Sequence, residues 1–418
     1  MKFALASYGT RGDIEPSTAV GRELLRRGHD VRLAVPPNLV SLVESAGLEA
    51  VAYGPDQQEG FWDVDFLRKF WKVREVVESW REVQTLLTQS WAEMSATLVS
   101  LADGADLIFS GPGFPGVPAN VAEYYGIPLA TMHYFPMLPN GQLAPGVPAP
   151  VVRTAMRVLD WPQRFVTKKA EDAQRRDLGL PKATGPAPRR ITACGSLEIQ
   201  AYDQVCFPGL AAEWAKWNGQ RPFVGTLTIE MSTDADEEVE SWIAAGSPPI
   251  FFGFGSTEVK SPAETIEMIA AACAQLGERA LVCSGWSDFS DVPHFDHVKV
   301  VGPVNYATVF PACRAVVHHS GAGTTAAGLR AGVPTLSLWS LGDQRIWAGQ
   351  VKRLKVGTAR PFSATTQETL VGDLREILAP GCVDRAREIS SRMTKPAESA
   401  AKAADLLENF ARVPATND

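Results

Sequence analysis

The amino-acid sequence predicts an α/β protein with parallel sheets, divided into two domains. Near the N-terminus, the apolar runs Phe3–Ser7, Val31–Val35 and Leu48–Ala52 alternate with helical patterns, as in a βαβαβ unit. Residues 315–344 repeat the order strand, turn, helix, strand. Strands that alternate with helices form parallel sheets with right-handed crossovers. A chain of 418 residues is longer than one ordinary domain, so two domains are expected.

The composition narrows the class of protein. Hydrophobic residues make up 45% of the chain and charged residues 21%, as in soluble globular proteins. The net charge of −7 argues against general nucleic-acid binding. No apolar run reaches 18 residues, and the N-terminus enters a strand without the regions of a signal peptide. The six cysteines form no Cys-x-x-Cys pair, so reduced thiols in a cytoplasmic protein are expected.

Further elements follow along the chain. The first helix is predicted from about Pro16 to Arg27, with Gly28 as its C-cap, because proline favours the first helical turn. Residues 135–150, rich in Pro and Gly, are predicted to form a long loop. The remaining predicted strands are short apolar runs: Leu107–Ser110, Leu129–Met132, Ile250–Phe254, Ala280–Ser284, Val298–Val301, Ala315–His318 and Thr335–Trp339. The remaining predicted helices are amphipathic or Ala/Leu-rich: Leu39–Ala46, most of Phe61–Ala102, and Glu398–Phe410.

A glycine-rich turn follows the strand Ala315–His318. Ser320–Thr325 supplies two glycines and three hydroxyls, and a helical pattern then runs to Ala331 with Gly332 as C-cap. Backbone N–H groups converge at a helix N-terminus, where the helix dipole adds positive charge. The turn is therefore predicted to bind a phosphate or diphosphate.

The same turn matches the dinucleotide fingerprint G-x-G-x-x-[GA]. The match spans Gly321–Ala326, and Asp343 lies twenty residues beyond Gly323. Two details argue against nicotinamide binding. The fingerprint usually opens a domain but comes late here, and Asp343 stands in a Gly-Asp-Gln turn four residues beyond the strand that ends at Trp339.

Three motifs in one order point to a family. His318–Thr325, Ala331–Pro334 and Gly342–Gln344 resemble the donor-site signature of nucleotide-sugar glycosyltransferases with the GT-B fold. The likeness is to the macrolide, glycopeptide-antibiotic and sterol branch of the UDP-glycosyltransferase superfamily, actinobacterial in type. The family pattern is His-His-Gly-Gly, and this chain has Ser320 in place of the first glycine.

The resemblance implies two Rossmann-like domains that face each other across a cleft, with the C-terminal helix crossing back to the first. The implied segments are an acceptor-binding domain, a linker, a donor-binding domain and the returning helix: 1–207, 208–222, 223–397 and 398–418.

The resemblance also implies a donor site. His319, the turn amides and Thr324 would hold the diphosphate, and Asp343 and Gln344 the sugar hydroxyls. Adjacent strand residues point to opposite faces, so His318 is expected in the core, which argues against a metal site on the histidine pair. The expected donor-binding residues are Thr10, Arg11, Ser256, Trp286, Val304, His319, Ser320, Gly321, Ala322, Gly323, Thr324, Asp343 and Gln344. Two of these residues could instead have purely structural roles: Arg11 could pair with a surface acid, and Trp286 could fill the core.

Asp13 is the candidate catalytic base. It ends the loop Gly9–Asp13, which follows the first strand, and sites in parallel sheets lie at the carboxyl ends of strands. The family carries a closely similar Gly-[Thr/Ser]-Arg-Gly-Asp-[Val/Ile]-x-Pro loop, and the resemblance implies that Asp13 would be the general base. Asp13 could instead cap the following helix, an ordinary role for aspartate.

The acceptor pocket is expected to involve Trp62, Phe66 and His133. Trp62 and Phe66 stand four residues apart in an aromatic segment, a spacing that more often marks a helix packed in the core. A lone histidine is also more often a core residue. Asp63–Asp65 and Asp234–Asp236 resemble a metal-binding Asp-x-Asp motif but are interpreted as solvated surface.

Residues 153–190 hold ten Lys/Arg against four acids. The favoured interpretation is a helix with a solvated basic face. The functional alternative is attraction of this basic face to an anionic membrane leaflet.

The predicted reaction is inverting transfer of a hexosyl or deoxyhexosyl unit from a UDP- or dTDP-linked donor to a hydroxyl of a hydrophobic natural product, sterol or glycolipid. It is expected to need no metal, because His319, the Gly321–Thr324 amides and Thr324 would stabilise the diphosphate. No cofactor is expected either, because the sugar nucleotide is a co-substrate. A monomer or weak dimer, cytoplasmic or peripheral to the inner leaflet, is expected. The alternatives are a sugar-nucleotide epimerase and a non-catalytic nucleotide-sugar sensor.

Overall fold

A computed structural model describes most of the chain. The described residues are 1–56, 76–144, 146–217, 219–231, 233, 235–255, 257, 259–340 and 342–412. The chain divides into two compact units. The first unit comprises Met1–Ala201, Gly209–Ile229 and Pro396–Asp418, and the second comprises Tyr202–Pro208 and Glu230–Lys395.

Each unit contains one six-stranded parallel sheet within the described residues. The strands in chain order are β1 (Lys2–Ala6), β2 (Asp30–Val35), β3 (Glu49–Ala52), β4 (Leu107–Ser110), β5 (Leu129–His133), β6 (Leu197–Gln200), β7 (Ile250–Gly253), β8 (Ala280–Cys283), β9 (Val298–Val301), β10 (Ala315–His318), β11 (Thr335–Trp339) and β12 (Gly357–Pro361). The order is β3-β2-β1-β4-β5-β6 in the first sheet and β12-β11-β10-β7-β8-β9 in the second. The predicted α/β class with two parallel-sheet domains is confirmed.

Helices cover both faces of each sheet. In chain order they are α1 (Arg11–Arg26), α2 (Val40–Ser45), α3 (Val76–Ala102), α4 (Gly116–Tyr125), α5 (Ala149–Asp177), α6 (Ala187–Ala193), α7 (Leu210–Trp214), α8 (Asp236–Ala244), α9 (Pro262–Leu276), α10 (Tyr306–Val309), α11 (Ala322–Ala331), α12 (Gly342–Leu354), α13 (Gln367–Ile377), α14 (Pro380–Ser390) and α15 (Pro396–Ala411). Within the described ranges, no helix is both long and apolar enough to cross a membrane.

The helix α1 begins at Arg11, and the prediction of a start near Pro16 was wrong by five residues. Thr10 is its N-cap, and its backbone N–H donates to Oδ2 of Asp13 at 2.6 Å, so the loop closes into the first turn before the proline. Pro16 lies inside the helix and is buried. Its missing N–H removes one helical bond, which the packing of this buried face tolerates.

The C-terminal helix α15 packs on α1 within the first unit. Ala403, Ala404 and Leu407 are fully buried in the core cluster that also contains residues of α1. At the edge of this contact, Nη1 of Arg27 lies 2.6 Å from Oδ1 of Asp405. The helix therefore completes the apolar cover of the first sheet.

Residues 209–229 also join the first unit, so most of the expected linker 208–222 lies inside it. Phe223 forms a parallel bridge with Gln200 at the end of β6, and Val224 and Leu227 are buried in the first unit's core. This apolar cover keeps the segment with the first sheet, and the main segment of the second unit begins at Glu230.

The six cysteines form no disulfide. Four of them are buried, Cys382 is partly exposed and Cys194 is exposed. The prediction of unpaired thiols is confirmed.

Candidate functional site

In the second unit, the candidate donor residues gather at one edge of the sheet. The strands are parallel, so the loops that follow them emerge at the same edge. Strand order reverses between β7 and β10, which are neighbours, and such a reversal opens a crevice where α/β proteins bind ligands. The glycine-rich turn follows β10, and the Gly255 loop follows β7.

The two histidines differ in environment as predicted. His318 is fully buried, and its Nδ1 accepts a 2.9 Å hydrogen bond from the backbone N–H of Ser320. Burial lowers the pKa of His318 to about 3, so it is neutral. His319 is partly exposed. Desolvation lowers the pKa of its ring to about 4, although the backbone of Gly253 favours the charged form. His319 therefore offers a neutral imidazole.

Close backbone approach explains two glycines around His319. A Cβ on Gly255 would come within 2.5 Å of Cε1 of His319, and a Cβ on Gly321 within 2.6 Å of its Nε2. Gly255 also has φ +58°, where side chains are strained. The imidazole of His319 therefore lies between the Gly255 loop and the turn at Gly321. A side chain at either glycine would displace it.

Ser320 departs from the family's glycine at a backbone position that favours glycine. Its φ is +68°, and its side chain is fully buried. The Oγ atom has no hydrogen-bond partner among the described residues. The turn thus carries both backbone strain and a buried hydroxyl.

The turn leads into α11, whose N-cap is Gly321. Ala322, Gly323 and Thr324 form its partly exposed first turn. The first N–H groups of a helix have no partner within the helix, so they are available to an anion. The predicted end of this helix is confirmed, because Gly332 is a left-handed C-cap with φ +69°.

Asp343 and Gln344 lie in the first turn of α12, and the prediction of a simple Gly-Asp-Gln turn after β11 was wrong. Gln344 accepts a 2.8 Å hydrogen bond from the backbone N–H of Ser340 through Oε1. Its Nε2 lies 3.4 Å from Oγ1 of Thr257, in the loop after β7. Asp343 is partly exposed beside it. Asp343 suits the first turn of this helix, because a carboxylate there faces the positive end of the helix dipole.

Trp286 and Val304 follow the carboxyl ends of β8 and β9, at the same edge of the second sheet. Trp286 is exposed, and its backbone N–H donates to the carbonyl of Gly255 at 3.0 Å. The side chain of Val304 is buried in an apolar cluster on one face of the sheet. Ser256 lies outside the described residues.

In the first unit, Asp13 lies near the corresponding reversal, between β1 and β4. Its Oδ2 accepts from the backbone N–H of Thr10 at 2.6 Å and from Oγ1 of Thr10 at 3.1 Å. Its Oδ1 accepts a short hydrogen bond from the hydroxyl of Tyr134. Desolvation raises the pKa of Asp13, and the bonds from Tyr134 and Thr10 oppose the rise. Asp13 is not the N-cap of the helix, because Thr10 holds that position; Asp13 completes the capping box as the third helical residue, and its carboxylate can still accept a proton.

The loop before Asp13 is glycine-dependent. Gly9 has φ +147°, and a Cβ there would fall 2.3 Å from Oδ2 of Asp13. Thr10 is occupied with Asp13, and Nε of Arg11 pairs with Oε1 of Glu15 at 2.6 Å. Arg11 thus has the acidic partner that its alternative interpretation required.

His133 is the last residue of β5 and does not open the following loop. It is buried, and its Nε2 lies 3.3 Å from Oγ1 of Thr131. Burial lowers its pKa to about 3, with a smaller contribution from Arg221. Tyr134, the next residue, lies beyond the end of the strand, and its hydroxyl reaches Asp13. Tyr134 was not predicted, although its place directly after a strand was a usable signal.

The remaining predictions concern the acceptor side and metals. Trp62, Phe66 and the Asp63–Asp65 motif lie outside the described residues, as does Asp234. Asp236 lies in the first turn of α8, where it accepts hydrogen bonds from Thr233. Among the residues that the structure describes, no group of three or more His, Cys, Asp or Glu could hold a metal ion.

Ion pairs account for part of the basic segment 153–190. Arg153 pairs with Glu213 at 2.6 Å, and Arg175 with Glu123 at 2.7 Å. Lys168 and Arg190 also pair, with Asp172 and Glu171. Besides Lys168, five cations of the segment are exposed among the side chains that the structure describes: Arg157, Lys169, Arg176, Lys182 and Arg189.

Comparison with family models matches both units. Residues 3–141 match the N-terminal domain of glycosyltransferase family 28. Residues 260–411 match the C-terminal domain of erythromycin biosynthesis protein CIII-like proteins.

Whole-chain relatives agree with the family models. An uncharacterized glycosyltransferase of Mycobacterium tuberculosis is 61% identical over 414 residues, 99% of each chain. The sterol 3-beta-glucosyltransferase UGT80B1 of Arabidopsis thaliana is 27% identical over 420 residues, 93% of this chain and 65% of that protein.

Solved structures share the fold. The kitacinnamycin glycosyltransferase has a TM-score of 0.72 with 18% identity, over 98% of each chain. The glycosyltransferase VinC, solved in complex with dTDP, has a TM-score of 0.63 with 18% identity, over 98% of this chain and 99% of that one. The chain therefore belongs to the GT-B fold glycosyltransferases, in the branch that holds the macrolide, glycopeptide-antibiotic and sterol enzymes.

Proposed function

We propose that this glycosyltransferase moves a hexosyl or deoxyhexosyl unit from a nucleoside-diphosphate sugar to a hydroxyl of a hydrophobic acceptor, with inversion at the anomeric carbon. The observation that carries the proposal is the turn after β10. There, the imidazole of His319 and the first turn of α11 are both partly exposed, and both lie beside the point where the strand order reverses between β7 and β10. The neighbouring structure that holds dTDP and the sterol glucosyltransferase relative support a dTDP- or UDP-linked donor and an apolar acceptor.

The diphosphate would be the main point of transition-state stabilisation. Negative charge grows on the leaving diphosphate as the glycosidic bond breaks, and preorganised donors are most effective where charge develops. The amides of residues 322–324, the hydroxyl of Thr324 and His319 would supply those donors. With these donors we propose that the reaction needs no metal or cofactor, and that the sugar nucleotide is a co-substrate.

Asp13 would act as general base. The acceptor oxygen attacks the anomeric carbon opposite the diphosphate, its O–H bond breaks, and the proton goes to a carboxylate oxygen of Asp13. A carboxylate is a weak base for an alcohol, so proton transfer must accompany departure of the diphosphate. The raised pKa of Asp13 makes it a better proton acceptor than an ordinary aspartate.

The sugar hydroxyls would be recognised from α12. Asp343 and Gln344 lie in its partly exposed first turn, and Gln344 is oriented by Ser340. We expect Asp343→Ala to spare affinity for the nucleoside diphosphate while turnover and sugar selectivity fall. Equal loss of affinity for the diphosphate and the sugar nucleotide would assign Asp343 a structural role at the helix start.

The proposal is tested first by donor binding. A thermal-shift panel of UDP, dTDP, their glucose derivatives and reduced NAD should give a saturable shift with a sugar nucleotide and none with NAD. His319→Ala should weaken nucleoside-diphosphate binding by about threefold to tenfold, because a neutral hydrogen bond contributes about 0.5–1.5 kcal/mol. Unchanged affinity by calorimetry would place His319 outside the donor site.

Turnover of Asp13→Asn is the decisive test. Asparagine keeps the size of the side chain and still accepts from Thr10, so donor affinity should barely change, and the stability lost should be no more than that of the charged hydrogen bond from Tyr134. Turnover should fall by roughly 10²–10⁴, the usual contribution of a positioned base. A near-normal rate of sugar transfer by Asp13→Asn would show that Asp13 only stabilises the start of the helix.

The same assay separates the two rival functions. An epimerase would convert the sugar nucleotide without an acceptor and release no nucleoside diphosphate. A sensor would bind the donor and never turn it over. Acceptor-dependent release of nucleoside diphosphate excludes both.

We also propose peripheral contact with an anionic membrane, where an apolar acceptor would reside. Pro150, Val151, Ala155 and Val158 expose an apolar strip on and beside the first turns of α5. Arg157 is exposed on the same helix, and Arg189 lies beside it, since its Nη2 donates to the carbonyl of Arg157 at 3.0 Å. Co-sedimentation should show binding to phosphatidylglycerol-containing vesicles and none to pure phosphatidylcholine. Equal binding to both vesicles contradicts this proposal.

A further inference from the structure

The hydroxyl of Tyr134 reaches the carboxylate of Asp13 from another strand end. Asp13 follows β1 and Tyr134 follows β5, and β4 lies between these strands in the sheet. The phenol donates a short hydrogen bond to Oδ1, while the backbone and side chain of Thr10 donate to Oδ2. Three donors from two separate loops thus converge on one carboxylate.

We propose that Tyr134 is the positioning residue of the base: it fixes the plane of the Asp13 carboxylate and favours its ionised form. The inference rests on the proposed function, in which Asp13 accepts the proton of the acceptor hydroxyl. Tyr134 is partly exposed, as is Asp13, so the pair lies where a ligand can reach it.

Geometry gives the reason for two anchors. The terminal torsion of an aspartate has a broad energy profile, so donors on Oδ2 alone leave the carboxylate plane weakly fixed. A second donor on Oδ1 fixes it. A carboxylate oxygen has two lone pairs, so Oδ1 bound to Tyr134 can still accept the acceptor hydroxyl.

The proton balance follows from the two groups. A tyrosine ordinarily titrates near pH 10, so the phenol stays protonated and only donates. In the transfer step the acceptor O–H bond breaks and its proton moves to Asp13. The new C–O bond forms as the bond to the diphosphate breaks, and the O–H bond of Tyr134 stays intact.

A hydrogen bond to a charged carboxylate is stronger than one to a neutral carboxyl group. The Tyr134 bond therefore favours the ionised form of Asp13, against the desolvation that raises its pKa. Replacing Tyr134 with Phe should raise that pKa further. A role in packing alone would not depend on the charge of Asp13.

A double-mutant cycle tests the charge dependence without any substrate. Urea unfolding of wild type, Tyr134→Phe, Asp13→Asn and the double variant is measured from about pH 4 to about pH 8. The coupling between the two sites should strengthen with pH, by about fivefold to tenfold in the unfolding equilibrium constant, since bonds to charged groups contribute more. A coupling that is absent or independent of pH overturns the proposal.

Tyr125→Phe is a matched control. Its hydroxyl, in the same unit, donates to the backbone carbonyl of Val99 at 2.9 Å, and a carbonyl does not titrate. This variant should lose stability by the same factor at every pH. A pH-dependent loss in Tyr125→Phe equal to that of Tyr134→Phe would show that the effect is not specific to Asp13.

The catalytic test uses UDP-glucose or dTDP-glucose, whichever gives the larger thermal shift, with cholesterol as the probe acceptor. In Tyr134→Phe the acidic limb of the kcat/KM profile should move to higher pH, with kcat reduced most at the acidic end and donor KM unchanged. A profile that superimposes on that of an active wild type overturns the inference. An inactive wild type would instead count against the proposed function, while the unfolding cycle still decides the role of Tyr134.

Discussion

Ser320 is one of three described non-glycine residues with a positive φ, and it lies in the candidate donor site. A non-glycine residue with φ +68° is strained, by about 1 kcal/mol or more, and its buried hydroxyl lacks a partner among the described residues. The family has glycine here. The departure was visible in the sequence, but its cost appears only with the backbone angle.

We expect Ser320→Gly to stabilise the second unit by about 1 kcal/mol, which corresponds to about 2–4 °C in melting temperature for a unit of this size. Differential scanning calorimetry measures it. Ser337→Gly is the matched control, because its hydroxyl is also buried and unpartnered within the described residues, while its backbone lies in β11. That variant should lose about 0.5–1 kcal/mol. Loss of stability in Ser320→Gly would contradict the inference that the backbone at Ser320 is strained.

The sequence analysis selected the end of β5 as part of the site but chose His133 there and not Tyr134. His133 was singled out because histidines carry chemistry, yet it is buried in β5, and its neighbour Tyr134 makes the contact with Asp13. The two residues could be told apart only with the end of β5 known, because His133 is the last strand residue and Tyr134 lies beyond it. The predicted strand ended one residue earlier, at Met132.

At the scale of elements, apolar runs were good predictors of buried strands. Ala315–His318, Thr335–Trp339 and Val298–Val301 have the predicted bounds. Helix starts were predicted less well. The proline that appeared to begin α1 lies within it, because the bond between Asp13 and Thr10 starts the helix earlier. Such caps depend on side-chain geometry that periodicity does not show.

The helix α15 offers a clean packing test. Leu407 is fully buried against the first unit's core, so Leu407→Ala should destabilise that unit by about 2–5 kcal/mol. Asn409→Ala, on the exposed face of the same helix, should be nearly neutral. Urea unfolding followed by circular dichroism measures both. Equal effects would mean that the helix does not pack as described.

At the scale of the whole molecule, buried neutral histidines make both units sensitive to acid. Burial lowers the pKa to about 3 for His133 in the first unit and for His318 in the second. The unfolded chain binds a proton near pH 6.5, so stability should fall as the pH drops from about 6.5 towards 3. Each histidine contributes up to about 1.4 kcal/mol per pH unit in that window.

Thermal unfolding at intervals from about pH 7.5 to about pH 5 measures this loss. His318→Gln should flatten the pH dependence of the second unit's transition, because glutamine takes up no proton. His294→Gln, at an exposed position, is the control and should leave the slope unchanged. If stability depends on pH with the same slope in the two variants, His318 is not a source of the acid sensitivity.

The chain passes between the two units at residues 201/202, 208/209, 229/230 and 395/396, and it returns to the first unit at its end. This path has a consequence for synthesis on the ribosome. Multidomain chains usually fold from the N-terminus as they emerge. Here the cover that α15 gives to α1 is translated after every strand of the second unit. We expect the second unit to mature first, while the first unit keeps an uncovered apolar helix face until α15 emerges.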